Sequence, residues 1–498
     1  MISLGEMKFR LLLIAASLFA GALHAARIPT FAAAKLVLGQ ADFTTASVPS
    51  QPTATSLDKP SAVVVDALTG KVFVADTGNN RVLRYASAAS LGNGAAAEAV
   101  FGQDNFTSNA APAAAADSLD SPGALWIDTA GRLWVSDTDN NRIVMYANAA
   151  TAGNGPDATL VLGQPNATTG TLLNPPSAAS LNSPEGLCVD AGGRLWVADT
   201  GNNRVLRFDN AATNVTGGAS SQADGVFGQG QNNPYTTSTD GSDNLHFMSP
   251  TGVAVDASGI LWVADRGNNR IMGFPSAATI SNGANGARVL GQPDYNGGST
   301  TAGLSSSAIS GPTGMFVDTA GNLWLLDQGN NRALRFASIE TIDNGRPAST
   351  VVGQSNFATS FANLTARGLD TAAPGYAPGL FVQPDGSLWI SDLNHNRVLR
   401  YSIEDSGPPT VGISGKSKVV TTKSRIVLHG SASDDTGVTS VTLRVGNKTL
   451  AAAGTTAWKR TIPLKKKRTV VKAYAHDAAG NVSPPAKVII LKKARPLH

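Results

Sequence analysis

The first residues here whose types and spacing can do chemistry are the members of Asp-x-x-Asn-Asn-Arg, present six times with small variations. A carboxylate, two amides and a guanidinium within six residues can hold an anion, ligate a cation or fasten a turn. The anchoring aspartates are Asp76, Asp137, Asp199, Asp265, Asp327 and Asp392, spaced 61, 62, 66, 62 and 65 residues apart. A reaction needs its constellation once, whereas this one recurs in every copy. The pattern therefore predicts turn chemistry: the carboxylate accepts backbone N–H groups, Asn and Gly adopt left-handed conformations, and Arg reaches the aspartate or a nearby carbonyl.

Chemistry specific to one place must lie where the copies differ. After the opening proline they read Ser61, Gly123, Glu185, Thr251 and Thr313, so Glu185 is the one carboxylate at that position. The last copy departs most, with Gln383 for the turn aspartate and His395 for the first asparagine. His246 and His395 are far apart and in different copies, which argues against a histidine-based zinc site. Cys188 is the single cysteine and sits in an apolar run, so it reads as a buried small side chain and no intrachain disulfide can form. No Gly-x-Ser-x-Gly elbow, Cys–His pair or phosphate-cradling loop occurs. Asp240-Gly241-Ser242-Asp243-Asn244 is a weak calcium candidate that reads better as a solvated loop.

The elements that position these residues repeat as well. Pro60, Pro122, Pro184, Pro250 and Pro312 each open an apolar run ending in aspartate. A turn closed by Gly70, Gly131, Gly193, Gly259 or Gly321 follows, as expected between two strands. Next comes a strand with Trp134, Trp196, Trp262, Trp324 or Trp389 in register, and Phe73 in the first copy. A third strand follows the Asn-Asn-Arg turn, and a fourth ends in Gly-Gln at Gln103, Gln164, Gln229, Gln292 and Gln354. Four short strands per copy cannot bury both faces alone, so the copies must stack around an axis. The expectation is an all-β chain with a six-bladed β-propeller. An extra Gly-Gln strand at Leu36–Gln40 precedes the first copy and the last copy lacks a fourth strand, so the N-terminal strand should complete the sixth blade and close the ring.

These repeats, over roughly residues 36–402, resemble the NHL family. The resemblance implies a propeller whose usual role is binding, with no chemistry common to its members. Loops of roughly 15–25 residues join each fourth strand to the next first strand, a length that usually carries function. They hold Tyr235, His246, Phe247, Tyr295 and Tyr376; Tyr235, His246 and Tyr376, with Glu185, are the candidate ligand-binding residues. No catalytic or metal-ligating residue is assigned. The alternative is a calcium-dependent lactonase or lyase with an axial site near Glu185, as in related propellers, calcium being the one cofactor considered.

Outside the repeats, Lys8 and Arg10 followed by the apolar Leu11–Leu23 and small residues to Ala26 read as an export signal over 1–26. Thirteen apolar residues are too few to span a bilayer. This reading divides the chain into a signal, a propeller over 27–407 and an immunoglobulin-like β-sandwich over 408–498. The last part carries twelve Lys and five Arg against three Asp, +14, which leaves −10 for residues 1–407 of a chain whose total is +4. The acidic repeats argue against nucleic acid as a partner. The basic cluster Lys465-Lys466-Lys467-Arg468, with Lys492, Lys493 and Arg495, suits an anionic cell-envelope polymer or a solvated spacer. The functional expectation is a non-catalytic binding or scaffold protein exported by a bacterium to the periplasm, cell surface or medium, recognising a glycan, peptide or protein.

Overall fold

The computed structural model describes residues 28–213, 222–232, 234–279, 281–295, 303–373, 375–403, 408–434, 438–477 and 480–494. The export-signal reading of 1–26 lies outside them, as does Arg495. The described chain is all-β, with only short 3-10 turns, and no helix in it is long and apolar enough to cross a membrane. It forms two compact units, Ile28–Ile403 and a second that includes residues 408–494.

In the first unit the described residues form six four-stranded antiparallel sheets, like the blades of a propeller. The first comprises Pro60–Val65, Lys71–Asp76, Arg81–Ser87 and Ala99–Phe101, in that order. The next four sheets repeat the order. In the sixth, Leu380–Val382, Leu388–Asp392 and Arg397–Tyr401 are joined at the outer edge by Leu36–Leu38, with Val37 opposite Leu399. No single sheet closes on itself. Each apolar core lies between two successive sheets, and one of them couples Trp389 and Val398 of the sixth to Val63, Leu83 and Tyr85 of the first. A sixth opening proline, Pro378, matches Pro122 in the second copy and was hidden by the irregular sequence before it.

The repeated motif is a fastening. In all six copies the Arg Nε stands 2.6–2.7 Å from the Asp Oδ2, with both side chains fully buried. In the third copy Asp199 Oδ1 accepts the Asn182 N–H, and Arg204 donates to the carbonyls of Ser177, Ser180 and Tyr235. One ion pair thus ties a turn to two of the long loops. Burial raises the carboxyl of Asp199 and the neighbouring Arg204 opposes it, so the pair is stable only while both partners stay.

The departures in the last copy do the same work with other atoms. His395 Nδ1 meets Asp392 Oδ2 at 2.9 Å, as Asn79 Nδ2 meets Asp76 Oδ2. Gln383 Oε1 accepts the Trp389 indole N–H, which Asp190 Oδ2 does for Trp196. The Gly-Gln ends hold the long loops down. Gly228 has φ +86, and a Cβ there would lie 2.2 Å from Phe247, which is fully buried beneath it. Removing such an anchor costs about 3–5 kcal/mol.

The second unit has a three-stranded sheet of Thr410–Ile413, Arg425–Ser433 and Ala457–Pro463. Its five-stranded sheet runs Lys418–Thr421, Ala486–Lys492, Arg468–Asp477, Val438–Val445, Lys448–Ala451. The two share one core around Trp458, Leu443, Val471 and Ile490. Alternation along each strand puts these residues inward and the lysines outward.

Candidate functional site

The opening prolines bring six first strands together around a central cavity of about 340 Å³. Its mouth is made by a belt of hydrogen bonds passing from each sheet to the next. Ser61 and Thr77 donate to the Pro122 carbonyl, Thr138 to Pro184, Thr200 to Pro250, Thr251 to Pro312 and Thr313 to Pro378, over 2.7–3.0 Å. The sixth sheet meets the first through the Gly379 N–H and the Ser61 carbonyl, 2.6 Å.

Each sheet offers the belt two positions, the residue after the proline and the residue after the aspartate. In the first sheet both make the bond; in the third, fourth and fifth one makes it and the other is released. Thr200 serves the third sheet, so Glu185 is free to line the cavity. Thr251 serves the fourth, so Arg266 stands where the earlier copies have Thr77, Thr138 and Thr200. Thr313 serves the fifth, and Gln328 instead gathers the carbonyls of Thr371, Ala373 and Tyr376 at 2.9–3.0 Å. That bundle sets Tyr376 at the mouth, where the Lys59 ammonium lies 5.0 Å from its ring centre.

Glu185 is the electrostatic centre of the cavity. Its backbone N–H is held by the Ala198 carbonyl, but its Oε2 is buried and has no hydrogen-bond partner. Burial pushes the carboxyl up to about 7, and the positive charge of Arg266 only partly opposes this. Such a group takes up and gives up a proton near neutrality. Asp139, exposed beside Thr138, adds a second carboxylate to the cavity lining.

The opposite end is apolar. Trp126, Phe316 and Phe381 occupy the same register, each opposite the repeated tryptophan of the second strand. The Trp126 and Phe316 rings are 5.8 Å apart between centres, and Phe316 and Phe381 4.9 Å. The corresponding residues in the other sheets are the smaller Val64, Cys188 and Ala254, which leave room for the three rings to meet. The cavity is therefore a cup with a polar rim, one ionisable carboxyl in its wall and an aromatic floor.

Of the sequence candidates, Glu185 and Tyr376 come together in this cup, and Tyr235 and His246 do not. The Tyr235 carbonyl accepts from Arg204, and its ring packs against the core between the second and third sheets. His246 pairs with Asp243, 2.9 Å, and gives its carbonyl to Arg270. Both sit in loops expected to be adaptable, yet the arginines and buried anchors pin those loops in place. Arg266 and Asp139 were missed because the middle of a turn motif reads as filler. The variation Thr77, Thr138, Thr200, Arg266, Gln328, Leu393 is the signal that marks Arg266. Among the described residues no three or more His, Cys, Asp or Glu side chains gather to hold a metal. Calcium requires six to eight oxygens, and two carboxylates, Glu185 and Asp139, with hydroxyls already committed to the belt are a poor donor set for it.

The NHL repeat matches residues 181–208 and 247–274, which contain the Arg204 and Arg270 fastenings and the Phe247 anchor. A probable peptidyl-alpha-hydroxyglycine alpha-amidating lyase of Caenorhabditis elegans is 31% identical over 111 residues, 22% of this chain and 27% of that protein. The chain thus spans about a quarter of the length of the curated relative it matches. Among solved structures, a streptogramin B lyase aligns over 72% of this chain and 96% of its own at 14% identity, TM-score 0.39. A luciferin-regenerating enzyme aligns over 71% and 92% at 12% identity, TM-score 0.41.

Proposed function

Starting from a chain that carries NHL repeats folded as propeller-like sheets, we propose that it is an exported, non-catalytic binding protein whose central cup takes the end of a peptide. In this reading the six sheets form a closed six-bladed ring with the N-terminal strand as its last piece, and the basic unit is an immunoglobulin-like module that tethers the protein to an anionic cell-envelope polymer. The observation that carries the proposal is Glu185, which lines a cavity with an aromatic floor and whose buried Oε2 has no partner. A buried acceptor without a donor is costly, and a ligand ammonium or amide N–H removes that cost. The aromatic floor accepts an apolar side chain and Glu185 accepts an ammonium, a pair of groups that a peptide terminus supplies and a neutral glycan does not.

Calorimetry with Phe-Gly-Gly and its N-acetyl form tests the reading. Binding by the native protein should weaken at least about tenfold in Glu185→Gln. Equal binding by both proteins, or binding only of neutral oligosaccharides, would overturn it.

A second reading is a lyase, favoured by the Glu185 carboxyl near 7 and by the partial match to an amidating lyase. In it, Glu185 accepts the hydroxyl proton of a peptidyl-α-hydroxyglycine, a carbon–oxygen double bond forms as the carbon–nitrogen bond breaks, and the proton is returned to the leaving amide nitrogen, which gives the peptide amide and glyoxylate. Formation of the peptide amide, absent with Glu185→Gln, separates this reading from simple binding.

A further inference from the structure

The five-stranded sheet of the basic unit presents an outward face on which cations stand side by side. Lys487 is the cross-strand partner of Lys472, and Lys472 is the partner of Arg444. All three are exposed, while their sequence neighbours Val488, Val471, Ala473 and Leu443 are buried on the other face. Strands lie about 4.8 Å apart, so the row places three positive charges along roughly 10 Å. Like charges directly opposite one another on a sheet destabilise it. No salt bridge to these residues relieves the repulsion among the described residues. The sheet therefore carries an unrelieved electrostatic cost that an external polyanion would remove.

We infer that this row is a binding site for an anionic polysaccharide lying across the strands. The inference rests on the tethering part of the proposed function and assigns it to particular residues. Tyr474, two residues from Lys472 on the same face and opposite Thr442, offers a ring against which a sugar can stack. The apolar residues that share the face do not favour a lipid surface. Ile489, Leu491 and Val470 are half-buried, and Val420 and Val482, the latter bridged to His476, are the large exposed hydrophobes there among the described residues. Two exposed valines on a sheet face form no apolar wedge to insert among acyl chains.

The test uses the full chain, polygalacturonate as the probe and neutral dextran as the control polymer, at low salt. R444Q/K472Q/K487Q should lose at least about tenfold in affinity for polygalacturonate, and the native binding should fall as salt rises. K465Q/K466Q/K467Q removes the same charge from the turn beside the sheet and should change affinity less than about threefold. Because the row repels itself, the first variant should melt no lower than the native protein. Equal losses in the two variants would overturn the assignment to the row while leaving tethering intact. Absence of retention by the native chain at low salt would overturn tethering and the row together. Binding to phosphatidylglycerol vesicles in preference to polygalacturonate would overturn the choice of ligand.

Discussion

Replacing Glu185 by glutamine should stabilise the propeller unit at pH 8 and do so much less at pH 5. Burial raises the Glu185 carboxyl from an ordinary 4.5 to about 7. The folded chain thus holds the proton more tightly than the unfolded chain. The stability associated with this group is complete below 4.5, declines as pH rises towards 7, and is fully lost above it. At about 1.4 kcal/mol per unit, the rise sets an upper bound near 3 kcal/mol, and water reaching the cup reduces it to about 2 kcal/mol. Glutamine has the same shape and no charge to lose, so the variant avoids this penalty at pH 8. For a unit of this size about 2 kcal/mol corresponds to a rise of about 2–4 °C in Tm. Other buried carboxyls such as Asp137, raised to about 6, titrate equally in both proteins and cancel in the difference. The assay is thermal unfolding of the native protein and the variant at pH 5 and pH 8, with the transition of the basic unit as an internal reference. A Tm difference that is the same at both pH values, or a variant less stable at pH 8, would refute the argument that Glu185 is ionised against its environment.

Two further outcomes follow from the packing. Arg204→Met leaves Asp199 buried without its cation and should cost about 3–5 kcal/mol in urea unfolding, and Asp199→Asn added to it should restore part of the loss. Deleting residues 28–43 removes the buried Leu36, Val37 and Leu38 and bares the edge of Arg397–Tyr401. The loss should be about 5 kcal/mol or more, and an unchanged Tm would refute the role of the N-terminal strand.

The sheets were legible because the copies repeat one local chemistry: an opening proline, a turn closed by glycine, an aromatic strand and an Arg-fastened turn. The pairing of Leu36–Leu38 with the last sheet followed from counting strands. What the sequence concealed depends on relations between copies. His395 and Gln383 looked like departures, yet each supplies the atom its position requires. Trp126, Phe316 and Phe381 were invisible as a group because their meeting depends on small residues at the same level in three other sheets. Tyr235 and His246 have the composition of recognition residues. Whether a loop tyrosine or histidine faces a ligand is decided by buried anchors and arginine clamps tens of residues away.

The belt at the mouth has two possible side-chain donors in three of the six sheets, the first, fourth and fifth, and uses only one of them in the fourth and fifth. That redundancy separates holding neighbouring sheets together from equipping the cavity between them. A side chain released at one position, as Glu185 is, can change its chemistry while its counterpart keeps the neighbouring sheets joined. The same exchange is open in every sheet that retains its threonine. An acid or a base can therefore be moved from one such sheet to another around the cup while the contact between neighbouring sheets is kept.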